Sequence, residues 1–337
     1  MNKTKFLVSR TDRAGDLILT MPIFRELKKA FPDCFISAHL RSYTAPLAAL
    51  CAEIDEIIKD DDFLPGLIQP VLGKTFRQRN FSQAFIVHPS GRAIIAAWLA
   101  GIKKRTGRAS NIYQFLLNDR RVQRRSRNEK HEFCYNLELL EGCVANIDYS
   151  PWRLNLNHDS LDNGMKVLRE LALPAGKAIV VHPGHGGSAY NISAQMYANL
   201  TRELIANGFL VLVSLGPGEE NLQHIFSKAD PGKLNFLTKV PDLGKLAEIF
   251  ANCSAFVGGS TGPLHLAAAL NLPCVAFFPP VKAMTPVRWG PVGCKSLVIK
   301  PDSEDCDGKC LSCLKNGCMN TLDVTQAVSW LKRELKI

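Results

Sequence analysis

Apolar residues along this chain keep two rhythms, and the rhythms take turns. Short β-rich apolar runs alternate with stretches whose apolar positions fall three or four apart, from residue 6 to residue 278, which predicts a succession of parallel βαβ units. In the first half the pattern predicts strands over residues 6–9, 35–40, 56–58 and 84–88. In the second half it predicts strands over 178–182, 210–215, 255–257 and 275–278. The first helix is expected over residues 16–30, with Leu17, Met21, Phe24 and Leu27 on one face and Phe31-Pro32 at its end. Further helices are expected near 194–206, 219–227, 243–251 and 264–270, and a last one over 321–337 with Val324, Ala327, Val328 and Leu331 on one face.

At 337 residues the chain exceeds what one hydrophobic core usually serves, so two domains are expected, 1–155 and 156–320, followed by the terminal helix 321–337. Pro151 and Pro174 flank a polar stretch at that boundary. Hydrophobic content of 46% and charged content of 21% belong to an ordinary globular protein and argue against disorder. The opening residues have only a three-residue apolar run before Arg10, so they read as a strand and not as a signal sequence. The longest apolar segment, 93–102, falls far short of the roughly 18 residues a membrane-spanning helix needs. A cytoplasmic, non-spanning protein is expected.

The net charge of +10 is unevenly placed. Residues 102–130 hold ten basic residues against two acidic ones, Asp119 and Glu129. Such a run is either a solvated loop or a surface for an anionic lipid or phosphorylated acceptor; nucleic acid is not expected, because no recognition motif accompanies the charge.

Three segments carry candidate chemistry. Gly258-Gly259-Ser260-Thr261-Gly262-Pro263-Leu264-His265 ends a β-branched run and opens a small-residue helix, a place where backbone NH groups can hold an anion. His182-Pro183-Gly184-His185-Gly186-Gly187-Ser188 is a glycine-rich turn that lets backbone close on a ligand, yet it has neither a Walker A ending nor a dinucleotide fingerprint. Near the amino end, Arg13-Ala14-Gly15-Asp16-Leu17-Ile18-Leu19-Thr20-Met21-Pro22 places Asp16 where a strand gives way to a helix. Asp16 there either complements the helix dipole or acts as a general base. His265 is either a satisfied core histidine or a donor to phosphate, and His182 reads as structural.

In order and spacing the three segments resemble glycosyltransferase family 9, which contains the ADP-heptose:lipopolysaccharide heptosyltransferases. The similarity spans roughly the whole chain and is weakest between residues 60 and 130. It implies the α/β GT-B fold, two Rossmann-like domains facing a central cleft, with acceptor bound by 1–155, nucleotide-sugar by 156–320, and the terminal helix 321–337 packed back on the first domain. It also implies an inverting transfer, without a catalytic metal, of a sugar, heptose, from an ADP-sugar to an anionic lipopolysaccharide core acceptor at the cytoplasmic face of the inner membrane, with residues 102–130 as the peripheral membrane contact. Asp16 matches the family's proposed general base, while Arg13 and Gly15 fall on the acceptor side. Gly184, Gly187, Ser188, Thr261, Gly262 and His265 match the donor side. Either Glu219 or Glu220 matches a ribose-binding glutamate, and Leu243 falls in the segment that lies against adenine.

Two positions depart from the family pattern. Tyr190 stands where a basic residue usually neutralises the diphosphate, and Ser260 where many heptosyltransferases have an aspartate. They leave room for a different nucleotide-sugar donor or a non-catalytic homologue. Finally, Cys306, Cys310, Cys313 and Cys318 form C-x3-C-x2-C-x4-C in a polar tail, which suits structural zinc, free thiols or disulfides; zinc ribbons normally space their two pairs farther apart.

Overall fold

Strands buried on both faces need continuous apolar runs, and such runs form the centres of two parallel sheets. The computed structural model describes residues 3–186, 190–226, 232–302 and 317–336. It divides into two units, Met1–Trp152 and Arg153–Ile337, a division three residues before the expected boundary at 155. In the first unit β1 (Lys5–Arg10), β2 (Phe35–Leu40), β3 (Glu56–Lys59), β4 (Gln83–Ile86), β5 (Lys104–Arg108) and β6 (Asp119–Arg121) form one sheet in the order β3-β2-β1-β4-β5-β6. In the second, β7 (Ala178–His182), β8 (Leu210–Ser214), β9 (Leu234–Leu237), β10 (Ala255–Gly259), β11 (Cys274–Phe277) and β12 (Ser296–Ile299) are ordered β12-β11-β10-β7-β8-β9. Each sheet is α/β and all its neighbouring strands run parallel.

Eight strands stand where the apolar runs predict them; β5, β6, β9 and β12 were not expected. Three of the four are sheet edges, which need less apolar surface. The fourth, β5, is joined by polar groups: Gln83 Nε2 donates to Thr106 Oγ1 at 2.8 Å, and Thr106 Oγ1 donates to Asp119 Oδ2 at 3.0 Å. A polar ladder of this kind has no hydrophobic signature.

The helix expected over 16–30 is two helices, Ala14–Ile18 and Met21–Ala30. Pro22 has no NH to continue the ladder, and Thr20 Oγ1 donates to Asp16 O at 2.8 Å across the break. The helix expected near 219–227 is a 3-10 turn, Glu220–Phe226. The terminal helix, Thr325–Leu335, corrects another expectation. Its buried face, Ala327, Val328, Trp330 and Leu331, joins the core of the second unit beside helix Ala194–Ala206, and Lys332 Nζ reaches Asn207 Oδ1 at 3.1 Å.

Helix His158–Glu170 packs on helix Leu243–Phe250 through Gly164, where a Cβ would collide with the carbonyl oxygen of Glu248. Gly164→Ala is expected to destabilise the protein by about 1–3 kcal/mol, the range for overpacking; urea unfolding with an unchanged m-value checks it.

Candidate functional site

In open parallel sheets, ligands bind beyond the carboxyl ends of the strands where strand order reverses. Those places lie between β1 and β4 in one unit and between β7 and β10 in the other.

At the first, Arg10 ends β1 with its guanidinium buried between two carboxylates. Nε donates to Asp12 Oδ1 at 2.7 Å and Nη2 to Asp16 Oδ1 at 2.5 Å. Asn136 steadies the group: its Oδ1 accepts from Arg10 Nη1 at 3.5 Å, and its Nδ2 donates to Leu19 O at 2.9 Å. Beyond β4, His88 Nδ1 lies 3.2 Å from Asp12 Oδ2. The result is a row of polar contacts, His88, Asp12, Arg10 and Asp16, with the guanidinium between the two carboxylates.

The two carboxylates are driven apart in acidity. Burial pushes Asp16 above the ordinary carboxylate range, and the charges of Asp12 and Glu132 push it further than Arg10 can pull it back. Burial also opposes the charge on Asp12, but the His88 hydrogen bond and Arg10 outweigh it and hold Asp12 below the ordinary range. Burial works against the charge of Arg10 as well, and Asp12, Asp16 and Glu132 more than restore it. Asp16 is thus the more basic member of the pair, the character a general base needs. Gly15 is buried beside it, while Arg13 stands exposed at the start of its helix. The cation that holds Asp16 is Arg10; Arg13 is not joined to it. Sequence reasoning gave no role to Arg10 or Asp12 and noted His88 only as lying at a strand end, although a charged residue ending an apolar strand was a signal.

At the second place, the turn after β7 meets the loop after β8. Glu219 turns back so far that a Cβ at Gly184 would collide with its carboxylate, and Glu219 Oε2 accepts from the NH of Gly216 at 2.8 Å. Gly184, His185, Gly186, Ser193 and Glu219 line a concavity of about 400 Å³. Ser193 caps helix Ala194–Ala206 by accepting from Met196 N at 3.3 Å, so a helix start also faces this space. Glu220 is exposed and is not in the lining, which separates two residues that the sequence left equivalent.

His182 is buried with Nδ1 2.9 Å from Ser214 O, a contact that needs a proton on that nitrogen. Burial lowers its affinity for a second proton more than Glu219 raises it, so the ring is neutral and structural. Asn191 ties this turn to β10: its Oδ1 accepts from Tyr197 Oη at 2.8 Å, and a Cβ at Gly259 would meet it at 2.6–2.7 Å. After β10, half-buried Ser260 leads to Thr261, which is buried at the start of helix Gly262–Ala269, and His265 is buried within that helix. Leu243 opens helix Leu243–Phe250, capped by Asp242. Tyr190 is half-buried, with its hydroxyl oxygen enclosed and without a hydrogen-bond partner.

Gly187, Ser188, Cys306, Cys310 and Cys313 lie outside the described residues. Cys318 opens a 3-10 turn packed against the second unit's core. Among the described residues no three His, Cys, Asp or Glu side chains are grouped as a metal site, and no helix is long and apolar enough to cross a membrane.

A family model, "Glycosyltransferase family 9 (heptosyltransferase)", matches residues 71–319. A "Putative glycosyltransferase" of Haemophilus influenzae is 35% identical over 303 residues, covering 86% of each chain. Lipopolysaccharide heptosyltransferase 2 of Escherichia coli is 25% identical over 313 residues, covering 88% of each. The solved structure of E. coli ADP-heptose lps heptosyltransferase II matches with a TM-score of 0.78, over 98% of this chain and 99% of that one, at 21% identity.

Arg10→Met leaves Asp12 and Asp16 facing each other without their shared cation. A loss of about 3 kcal/mol is expected at neutral pH, the low end for breaking a buried pair. Because Asp12 has a depressed folded-state pKa, its stabilising contribution is present above its unfolded value and fades as pH falls through the folded one. The gap between variant and wild type should therefore narrow in acid, as urea titrations at neutral pH and in acid would show.

Proposed function

The chain belongs to glycosyltransferase family 9, and from that membership we propose that it transfers heptose from ADP-heptose to the lipopolysaccharide inner core, with Asp16 as general base. It is a glycosyltransferase of GT-B fold. The observation that supports Asp16 as base is the place of its carboxylate just past the carboxyl end of β1, held by Arg10; donor and acceptor are inferred from the family.

In this mechanism an acceptor hydroxyl loses its proton to Asp16 as its oxygen bonds to the anomeric carbon. The bond from that carbon to the diphosphate breaks on the opposite face, so the configuration inverts and ADP departs with the electron pair. A nucleoside diphosphate leaves as a stable anion, so charge stabilisation serves it better than protonation. Backbone NH groups of the Gly184 turn and of the helix start at Thr261 and Gly262, with His265, would take that charge. Glu219 would accept from the ribose hydroxyls, as acidic groups in comparable loops do. No catalytic metal enters this scheme. The family membership and the lipid-linked acceptor together support a site of action at the cytoplasmic face of the inner membrane, with residues 102–130 as the peripheral contact.

Tyr190 favours a second reading. Its hydroxyl brings no charge where the diphosphate of any nucleotide-sugar needs one, which suits a non-catalytic sugar-nucleotide- or lipid-binding homologue.

Thermal unfolding with ADP, UDP and GDP in separate samples distinguishes nucleotides. A nucleotide at ~100 times its Kd adds about 2.7 kcal/mol, and a shift of the midpoint with ADP alone is expected. A shift with UDP or GDP alone overturns the ADP assignment. Asp16→Asn should keep the ADP shift and lower turnover of ADP-heptose with an inner-core acceptor by at least ~10²-fold; unchanged turnover removes Asp16 from the role of base. Activity should survive EDTA, and its loss with recovery on adding a divalent cation would contradict the metal-free scheme.

A further inference from the structure

The cations of residues 102–130 divide into two groups. Six have partners within the protein, although Lys104, Arg127 and Lys130 keep much of their exposure. Lys104 and Arg121 reach Asp119 at 3.9 and 3.1 Å, Arg127 reaches Glu129 at 3.6 Å, and Lys130 reaches Glu138 at 2.7 Å. Arg125 is buried against Glu132, and Arg105 donates to the carbonyls of Ile102 and Leu116. Lys103, Arg120 and Arg124 are exposed, and no carboxylate partner is described for them.

What stands out beside Arg120 and Arg124 is apolar. Val122, between Arg120 and Arg124, is 83% exposed; Ile112 is 75% and Phe115 67% exposed in the turn that precedes β6. A second turn lies alongside. A Cβ at Gly91 would meet both the Tyr113 ring and Leu67 Cδ1, so the loop before helix Pro70–Arg79 adjoins the 112–116 turn. That loop exposes Leu64 by 79% and Ile68 by 64%, and the helix then adds exposed Val71 and, one turn on, exposed Lys74.

The loop is held in this posture by design of its backbone. Arg92 donates to the carbonyls of Leu64 at 2.7 Å and Gly66 at 3.0 Å while its Nε binds Asp60 at 2.8 Å. Asp61 and Asp62 are both exposed, and Asp61 is met by Arg41 at 2.7 Å. The NH of Ala109 donates to Arg121 O at 2.9 Å, which sets the segment leading into the 112–116 turn beside Val122, so seven of the eleven large hydrophobic side chains exposed among the described residues belong to three adjoining stretches of one unit.

We propose that the turns bearing Leu64, Ile68, Ile112 and Phe115, with Val122 and its flanking Arg120 and Arg124, form the surface by which the protein docks on an anionic lipid bilayer. The inference rests on the lipid-linked acceptor of the proposed function and replaces its purely electrostatic contact with a mixed one. Aliphatic and aromatic tips enter the boundary between headgroups and acyl chains, while unpaired cations meet anionic headgroups. Apolar tips interleaved with arginines on short turns suit an interface that is itself part apolar and part charged.

Co-sedimentation of the full chain with vesicles tests this. Wild type should bind vesicles of phosphatidylethanolamine and phosphatidylglycerol, and bind phosphatidylcholine vesicles at least ~10-fold more weakly. Ile112→Ser with Phe115→Ser, and separately Leu64→Ser with Ile68→Ser, should lower the bound fraction at least ~10-fold while melting at the wild-type temperature and keeping the ADP-induced shift. Arg120→Ser with Arg124→Ser should weaken binding to the anionic vesicles only. Wild type remaining in the supernatant, or serine variants that bind as wild type does, would overturn the proposal. So would a dimer, seen by sedimentation velocity, that the serine variants dissociate, because it would assign the surface to a second copy of the chain. The vesicle and sedimentation results do not depend on the identity of the donor; the ADP-induced shift serves only as a check that the variants are folded, and the wild-type melting temperature serves that purpose should ADP not bind.

Discussion

Parallel pairing is the constraint from which the rest of this structure follows. When every strand runs the same way, all carboxyl ends share one edge of the sheet, and where strand order reverses the flanking crossovers leave in opposite directions. The reversal beside β1 and β4 is where Arg10, Asp12, Asp16 and His88 gather, from residues far apart in sequence. The reversal beside β7 and β10 brings the glycine turn near the Thr261 helix start, with Asn191 bridging the two. The groups assigned chemistry in each unit stand where the topology leaves an opening.

Much of that framework was legible beforehand, for a physical reason. Interior parallel strands such as Ala178–His182 must be apolar throughout, so their sequence announces them. Edges β6, β9 and β12 carry no such obligation, and β5 is pinned by the Gln83–Thr106–Asp119 ladder, so hydrophobic patterning passed over them. The basic run illustrates the same limit. As a sequence it looked like free charge; folded, it supplies two strands and spends half of its ten cations on Asp119, Glu129, Glu132 and Glu138. A count of charges cannot anticipate which of them the fold will neutralise.

The candidate site shows a similar split. Asp16 and the glycine turns were visible because they sit in contiguous motifs. Arg10 was not, since its importance comes from two acids that converge on it only after β1 and the following loop are in place. Glu219 and Glu220 could not be separated by spacing, because adjacent residues at a helix-like start have equal claims; the close approach to Gly184 distinguishes them. The terminal helix was recognisable as amphipathic, but amphipathicity says that a face is buried and not against what, and here it completes its own unit's core.

The fit between Gly184 and Glu219 has a bearing on how such a chain drifts over generations. The carboxylate occupies the volume that any side chain at 184 would require, and it is held there by the Gly216 NH. A side chain at 184 would find room once that carboxylate swung off the Gly216 NH, so such a change would be absorbed by the aim of Glu219 and not by the backbone. Drift at 184 would thus be felt first in how position 219 faces the concavity, across the whole of one βα crossover.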